Sequence, residues 1–270
     1  METTTILVNN DARGVGTITL NRADLHNAFD DVVIREVTDA LQLFDRDDGV
    51  RIVVVRAVGK SFSAGADLNW MKRMAGNSWQ QNYQDSLGLA TLMQALASMN
   101  KPTIAVVQGA AFGGGVGLVA CCDIALASET ASFCLSEVKL GLIPSVISPY
   151  VIAAIGQRAA KRYFVTAERF DAKTALRLGL VHDLFTPEQL DAEADKLVTA
   201  LLANGPKAVL EAKRLIARVA NRPIDEELVR VTAQKIADIR ASAEGREGVT
   251  AFLEKRPADW AVKDRTELDV

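Results

Sequence analysis

Two glycine-rich stretches carry the chemistry open to this sequence: Ser61-Phe62-Ser63-Ala64-Gly65-Ala66-Asp67 and Gly109-Ala110-Ala111-Phe112-Gly113-Gly114-Gly115. Each follows a β-branched apolar run, Arg51-Ile52-Val53-Val54-Val55 in the first case and Thr103-Ile104-Ala105-Val106-Val107 in the second. A buried strand that turns and feeds a helix leaves backbone N–H groups without partners, at a helix end whose dipole favours negative charge. Two such groups meeting on one oxygen form an oxyanion hole, which points to enolate or acyl chemistry. Glycine at 114 would let the backbone approach a ligand where a Cβ would intrude. The plainer reading of the glycine run is tight packing of helix on strand.

Other reactive constellations are missing from the sequence. The two histidines, His26 and His182, lie beside no Ser or Cys motif. Cys121, Cys122 and Cys134 have no CxxC spacing; adjacent Cys121 and Cys122 on an apolar helix read as small hydrophobes, and with only two histidines no metal site is expected. Gly59-Lys60-Ser61 has Val54 where a phosphate-binding loop needs glycine, and Leu118 breaks a GxGxxG reading of the second turn.

The elements that must position the two turns follow from periodicity. Residues 6–10 and 14–20 read as a hairpin, 29–44 as an amphipathic helix with Asp30 or Asp31 at its start, and 51–57 as a strand. Helices are expected at 66–74 and 79–99, then a strand at 103–107 and a helix from 114 to 122. Short strands follow at 123–127 and 131–134. Helices at 150–155, 158–164 and 172–178, a strand at 179–185 and a helix at 187–202 complete this part. Beyond Asn204-Gly205-Pro206 the pattern over 206–256 is helical throughout. The expected organisation is therefore an α/β core over 1–203 and a helical region over 204–270.

The chain has 270 residues, 49% of them apolar and 24% charged, with a net charge of -3, enough for a large core and unremarkable for a globular protein. The acidic balance argues against nucleic acid as the main partner. Residues 1–5 are polar with no long apolar segment after them, and no stretch is long enough to span a membrane. With an odd number of cysteines and no CxxC spacing, these features point to a reduced, cytoplasmic setting.

Taken together, the two turns in this order resemble the enoyl-CoA hydratase/isomerase, or crotonase, superfamily. Leu20-Asn21-Arg22 with Asn27-Ala28-Phe29, Cys122-Asp123-Ile124, Ser136 to Pro144 and Ala251-Phe252-Leu253-Glu254-Lys255-Arg256 are similar to further segments of that family, so the resemblance covers nearly the whole chain. It implies a βαβ spiral of two roughly perpendicular sheets, with C-terminal helices used in trimerisation, and a homotrimer or dimer of trimers. It also implies that Ala64 and Gly114 supply the oxyanion-hole N–H groups. Ala66, Asp67 and Leu68 would run along coenzyme A, and Lys255 would meet a phosphate. Coenzyme A would arrive as part of the acyl-CoA substrate, with no separate cofactor.

Hydratases of this family carry two glutamates, one in the segment matched here by Glu137 and one three residues after the oxyanion glycine. The latter position is Gly117. A lone glutamate suffices for a 1,3-proton shift, as in the family's double-bond isomerases. Yet Leu68-Asn69-Trp70-Met71-Lys72, residues 115–119, 137–150 and 162–170 resemble a bacterial branch that hydrates methylglutaconyl-CoA or its isoprenoid-substituted homologue. The expected activity is therefore hydration of a 2-enoyl-CoA bearing a distal carboxylate, as in leucine or terpene breakdown. The alternatives are a 3-enoyl-CoA to 2-enoyl-CoA isomerase and a non-catalytic coenzyme A-binding protein. Lys72, Arg73 or the cluster Arg158, Lys161 and Arg162 could receive that carboxylate, or be solvated helix faces. Phe133-Cys134-Leu135 and Leu140-Gly141-Leu142 predict apolar surroundings that raise the pKa of Glu137. Trp70, Met71 and Met74 are either pocket wall or core, and Ser145 or Ser148 either holds water or shapes a turn.

Overall fold

The hairpin closes where Asp11 accepts hydrogen bonds from the backbone N–H groups of Arg13 and Val15, joining β1 (Ile6–Asn10) to antiparallel β2 (Val15–Leu20) in the computed structural model, which describes residues 3–261. Helix α1 (Asp31–Arg46) starts at Asp30, whose carboxylate accepts from Val32 N and Val33 N. Its stripe of Val33, Val37, Leu41 and Phe44 is buried, as the helical spacing requires.

The chain then alternates between two sheets. Strand β3 (Ile52–Ala57) leads to β4 (Ser61–Ser63), followed by helices α2 (Leu68–Met74) and α3 (Trp79–Ala97). Strand β5 (Thr103–Val107) leads to β6 (Ala110–Phe112) and helix α4 (Gly114–Cys121). Strand β7 (Ile124–Ser128) leads to β8 (Ser132–Cys134) and helix α5 (Ser148–Thr166), whose backbone breaks at Gly156. Strand β9 (Phe170–Asp171), helix α6 (Ala172–Leu178), strand β10 (Asp183–Phe185) and helix α7 (Leu190–Leu202) follow. One sheet has the order β1-β2-β3-β5-β7-β10 and the other β4-β6-β8-β9. The successive pairs β3–β4, β5–β6 and β7–β8 thus each place one parallel strand in each sheet, and β9 closes the smaller sheet antiparallel to β8. All five residues of β5 are buried, as a central parallel strand covered on both faces should be.

The chain divides into two compact units between Lys196 and Leu197. The second contains α8 (Pro206–Val219), α9 (Glu226–Ala241) and α10 (Ala243–Glu254). Glu244 on α10 accepts from Lys207 N and Ala208 N, so a side chain from one helix caps the start of another. Lys235 on α9 is ion-paired to Glu211 on α8 at 2.7 Å. Among the described residues, no helix is long and apolar enough to cross a membrane.

Three short strands, β4, β6 and β9, were not expected from the sequence. Each has two or three residues, and the first two lie within the glycine-rich stretches. The last strand is only Asp183–Phe185, where 179–185 was expected. His182 continues its edge, donating N–H to Ala125 O while its Nδ1 accepts from Ala125 N.

Candidate active site

The first glycine-rich turn is held by residues 22–30. The Ala64 N–H donates to His26 O at 2.9 Å. Phe29 N donates to Gly65 O and Asp67 N donates to Phe29 O, both at 2.7 Å, in a parallel bridge around Ala66. Asn27, buried, donates from Nδ2 to Val58 O and Ser61 O and accepts Arg22 N. Among the described residues, the Ala66 N–H has no partner. These bonds correct one expectation: the Ala64 N–H is tied to a carbonyl and cannot serve as a donor, whereas the one two residues later is free.

Asp67 is engaged within the turn. Its carboxylate accepts from Asn69 N and Trp70 N, capping α2, and pairs with Arg22 at 3.1 Å. Burial works against its charge, but those two N–H groups and the Arg22 guanidinium hold its pKa below the usual carboxylate value. A side chain so engaged and only 6% exposed shapes the turn.

The second turn meets the first. Gly113 has φ +49 and Gly65 φ +89, both in the region that favours glycine. A Cβ on Gly65 would lie 3.1 Å from Phe112 O, and one on Gly113 would lie 3.9 Å from Gly65 Cα. Gly113 N donates to Cys134 O, and Val116 N and Gly117 N both reach Gly113 O. Helix α4 begins at Gly114, whose N–H is likewise without a partner among the described residues. Two neighbouring turns thus each present a free backbone donor.

Glu137 stands beside them. It opens a short 3-10 turn, Glu137–Leu140, and its Oε1 lies 3.1 Å from where a Cβ on Gly113 would be. Its Oε2 is buried with no hydrogen-bond partner. Burial pushes its pKa up, partly offset by its own backbone N–H. A carboxyl left this way is primed to exchange a proton with whatever occupies the space.

The position one turn into α4 has no room for a second acid. A Cβ on Gly117 would lie 2.3 Å from Ile147 Cγ2 and 3.1 Å from Met93 Cε, and Ile147 and Met93 are themselves buried. Alanine is the better helix former by roughly 1 kcal/mol. Even so, Gly117→Ala is expected to lower stability, because overpacking a tight core costs roughly 1–3 kcal/mol. Thermal unfolding checks this, and an unchanged or raised Tm would show that Ile147 yields freely.

The remaining candidates are dispersed. Leu68 is 74% exposed at the start of α2. Lys72 is exposed on the same helix, with no partner among the described residues, while Arg73 pairs with Asp31. Arg158, Lys161 and Arg162 line a cleft of about 580 Å³ with Arg177, and Arg162 is bound to Glu168. Lys255 caps α10 in the second unit with φ +57. Trp70 belongs to the core, and Ser148 Oγ donates to Ser145 O. Burial pushes the Cys121 thiol far up, which makes it a poor nucleophile. Sequence reasoning gave no role to Arg22, His26, Asn27 and Phe29. Arg22, Asn27 and Phe29 entered only through a family resemblance, and nothing local to any of the four marks the long-range bonds they make.

The sequence profile described as enoyl-CoA hydratase/isomerase matches residues 10–263. The crystal structure of an enoyl-CoA hydratase from Shewanella pealeana is 49% identical, covers 96% of this chain and 97% of its own, and superposes with a TM-score of 0.92. A crotonyl-CoA hydratase of Syntrophomonas wolfei is 32% identical over 249 residues, covering 90% of this chain and 93% of that protein. A mitochondrial Delta(3,5)-Delta(2,4)-dienoyl-CoA isomerase of Dictyostelium discoideum is 32% identical over 260 residues, covering 93% and 88%. With a profile match over most of its length and two sheets wound as one spiral, the chain belongs to the enoyl-CoA hydratase/isomerase family.

Proposed function

We propose that the protein adds water to a 2-enoyl-CoA, with Glu137 as its single proton carrier and the Ala66 and Gly114 N–H groups as the oxyanion hole. The observation that carries this reading is the buried Glu137 Oε2, without a hydrogen-bond partner, beside the turn that exposes the Gly114 N–H. The thioester oxygen accepts from both main-chain donors. Water attacks C3 as the Glu137 carboxylate takes its proton, and the electron pair of the double bond moves onto the thioester as an enolate. Glu137 then returns the proton to C2, leaving a 3-hydroxyacyl-CoA and the glutamate as it began. Fixed donors aimed at the charge that develops need no reorganisation as the reaction proceeds.

The substrate in this reading carries a distal carboxylate, as methylglutaconyl-CoA does. Lys72, unpaired and one helical turn beyond Asp67, supports it, together with the resemblance of residues 137–150 to that hydratase branch. Leu68 flanks the pantetheine arm, and Lys255 is assigned to a coenzyme A phosphate. The exposed Ile216, Ile224, Val229, Val249, Phe252 and Leu253 support a trimer or dimer of trimers. Light scattering should then give three or six times the 29.1 kDa chain mass. Cys121, Cys122 and Cys134, none of them in a disulfide among the described residues, fit a cytoplasmic setting.

A second reading, isomerisation of a 3-enoyl-CoA to a 2-enoyl-CoA, is favoured by Gly117 and the Ile147 side chain packed on it. Here Glu137 removes a proton from C2 and returns it to C4, with no water consumed. One experiment separates the two: incubation with 3-methylglutaconyl-CoA, crotonyl-CoA and 3-hexenoyl-CoA, followed by mass and absorbance. Hydration adds the mass of water, with the branched acid turned over fastest. Conversion of 3-hexenoyl-CoA without mass change, and no hydration of the other two, would replace the first reading with the second.

A further inference from the structure

Phe29 touches both turns. Its N–H and carbonyl bond to Gly65 O and Asp67 N, the groups on either side of Ala66, each at 2.7 Å. In a β-bridge the residue between two such bonds turns its own N–H to the opposite edge. The Phe29 main chain therefore aims the Ala66 donor away from residues 27–30. Its ring lies against the other turn, with Cδ2 and Cε2 each 2.9 Å from where a Cβ on Gly114 would be. The side chain is 2% exposed, so it acts from behind the site and not on a ligand. Gly114 is thus required by the ring packed on it, whatever binds in front.

We propose that Phe29 is a positioning residue that fixes the spacing of the two main-chain donors, its backbone setting Ala66 and its ring setting Gly114. This rests on the oxyanion-hole reading above. Losing one donor outright costs ~10²–10³ in rate. Phe29→Leu, which keeps the main-chain bonds beside Ala66 but removes the ring from Gly114 and so loosens the spacing of the two donors, should lower kcat by roughly 10-fold to 10²-fold with KM nearly unchanged.

Phe44 provides the control. It too is buried and packs on a glycine, with Cδ2 2.8 Å from where a Cβ on Gly16 would lie, but it belongs to the hairpin and α1. The readouts are kcat, KM and the red shift in absorbance of a bound aryl-conjugated enoyl-CoA, whose carbonyl polarisation reports donor alignment. Phe29→Leu and Phe44→Leu should both lower Tm, and only Phe29→Leu should lower kcat and shrink the red shift. Wild-type kcat and red shift in Phe29→Leu, or equal losses in Phe44→Leu, would overturn the proposal. A wild-type protein that turns over no enoyl-CoA and shifts no probe would instead remove the functional reading, and this inference with it.

Discussion

Glu137→Gln is expected to lower kcat by about 10²–10⁴-fold, the range a positioned general acid or base contributes, while the protein stays folded. The amide keeps the shape of the side chain and loses the proton. Both readings of the chemistry begin with the carboxylate, so kcat/KM in the wild type should fall as pH drops through the pKa of Glu137. Because burial raises that pKa above 4.5, the acid limb should lie above the ordinary carboxylate range. Stability carries the same signature with the opposite sense. The folded chain holds this proton more tightly than the unfolded chain does. The stabilisation from protonation is complete below the unfolded pKa and is lost as pH rises through the folded one. At neutral pH, therefore, Glu137→Gln should unfold at an equal or higher temperature than the wild type. Retained turnover in a folded Glu137→Gln protein would remove the glutamate from the chemistry.

Ala66→Pro is expected to cost ~10²–10³ in kcat, the effect of deleting one oxyanion donor. Proline removes the N–H while leaving the bonds to Phe29 in place, since these are made by Gly65 O and Asp67 N. Ala64→Pro gives the opposing pattern. It breaks the bond to His26 O, so it should lower Tm and impair activity only through the fold. Parallel measurement of kcat, KM and Tm for the two variants separates a donor from a structural amide. A large drop in Tm for Ala66→Pro with kcat per folded molecule intact would reverse the assignment.

The long elements were legible because their signals are local. The α1 stripe at Val33, Val37, Leu41 and Phe44 and the apolar runs of β3 and β5 appear in the structure within a residue or two of their expected limits. The short strands β4, β6 and β9 were not legible, since two or three residues carry no periodicity and exist only by pairing across the sheet. The same limit governed the site. Glycines and a glutamate in motif order showed which turns matter, and the apolar neighbours of Glu137 foretold the direction of its pKa shift. Which amide in Ser63-Ala64-Gly65-Ala66 is free depends on bonds to His26 and Phe29, more than thirty residues away in sequence. The ion pair with Arg22 that, with the cap of α2, occupies the Asp67 carboxylate was likewise invisible, since it joins residues 45 positions apart in sequence. Gly117 was noticed as a missing acid, but only packing shows Ile147 in the space beside it.

The most direct test is a crystal structure with a saturated acyl-CoA bound, a ligand that fills the site and cannot react. The thioester oxygen should sit about 2.7–3.1 Å from the nitrogens of both Ala66 and Gly114, the distances expected of oxyanion donors. The Glu137 carboxyl should face C2 and C3 of the acyl chain. A thioester oxygen held elsewhere, or a Glu137 side chain turned from the acyl chain toward solvent, would contradict the account.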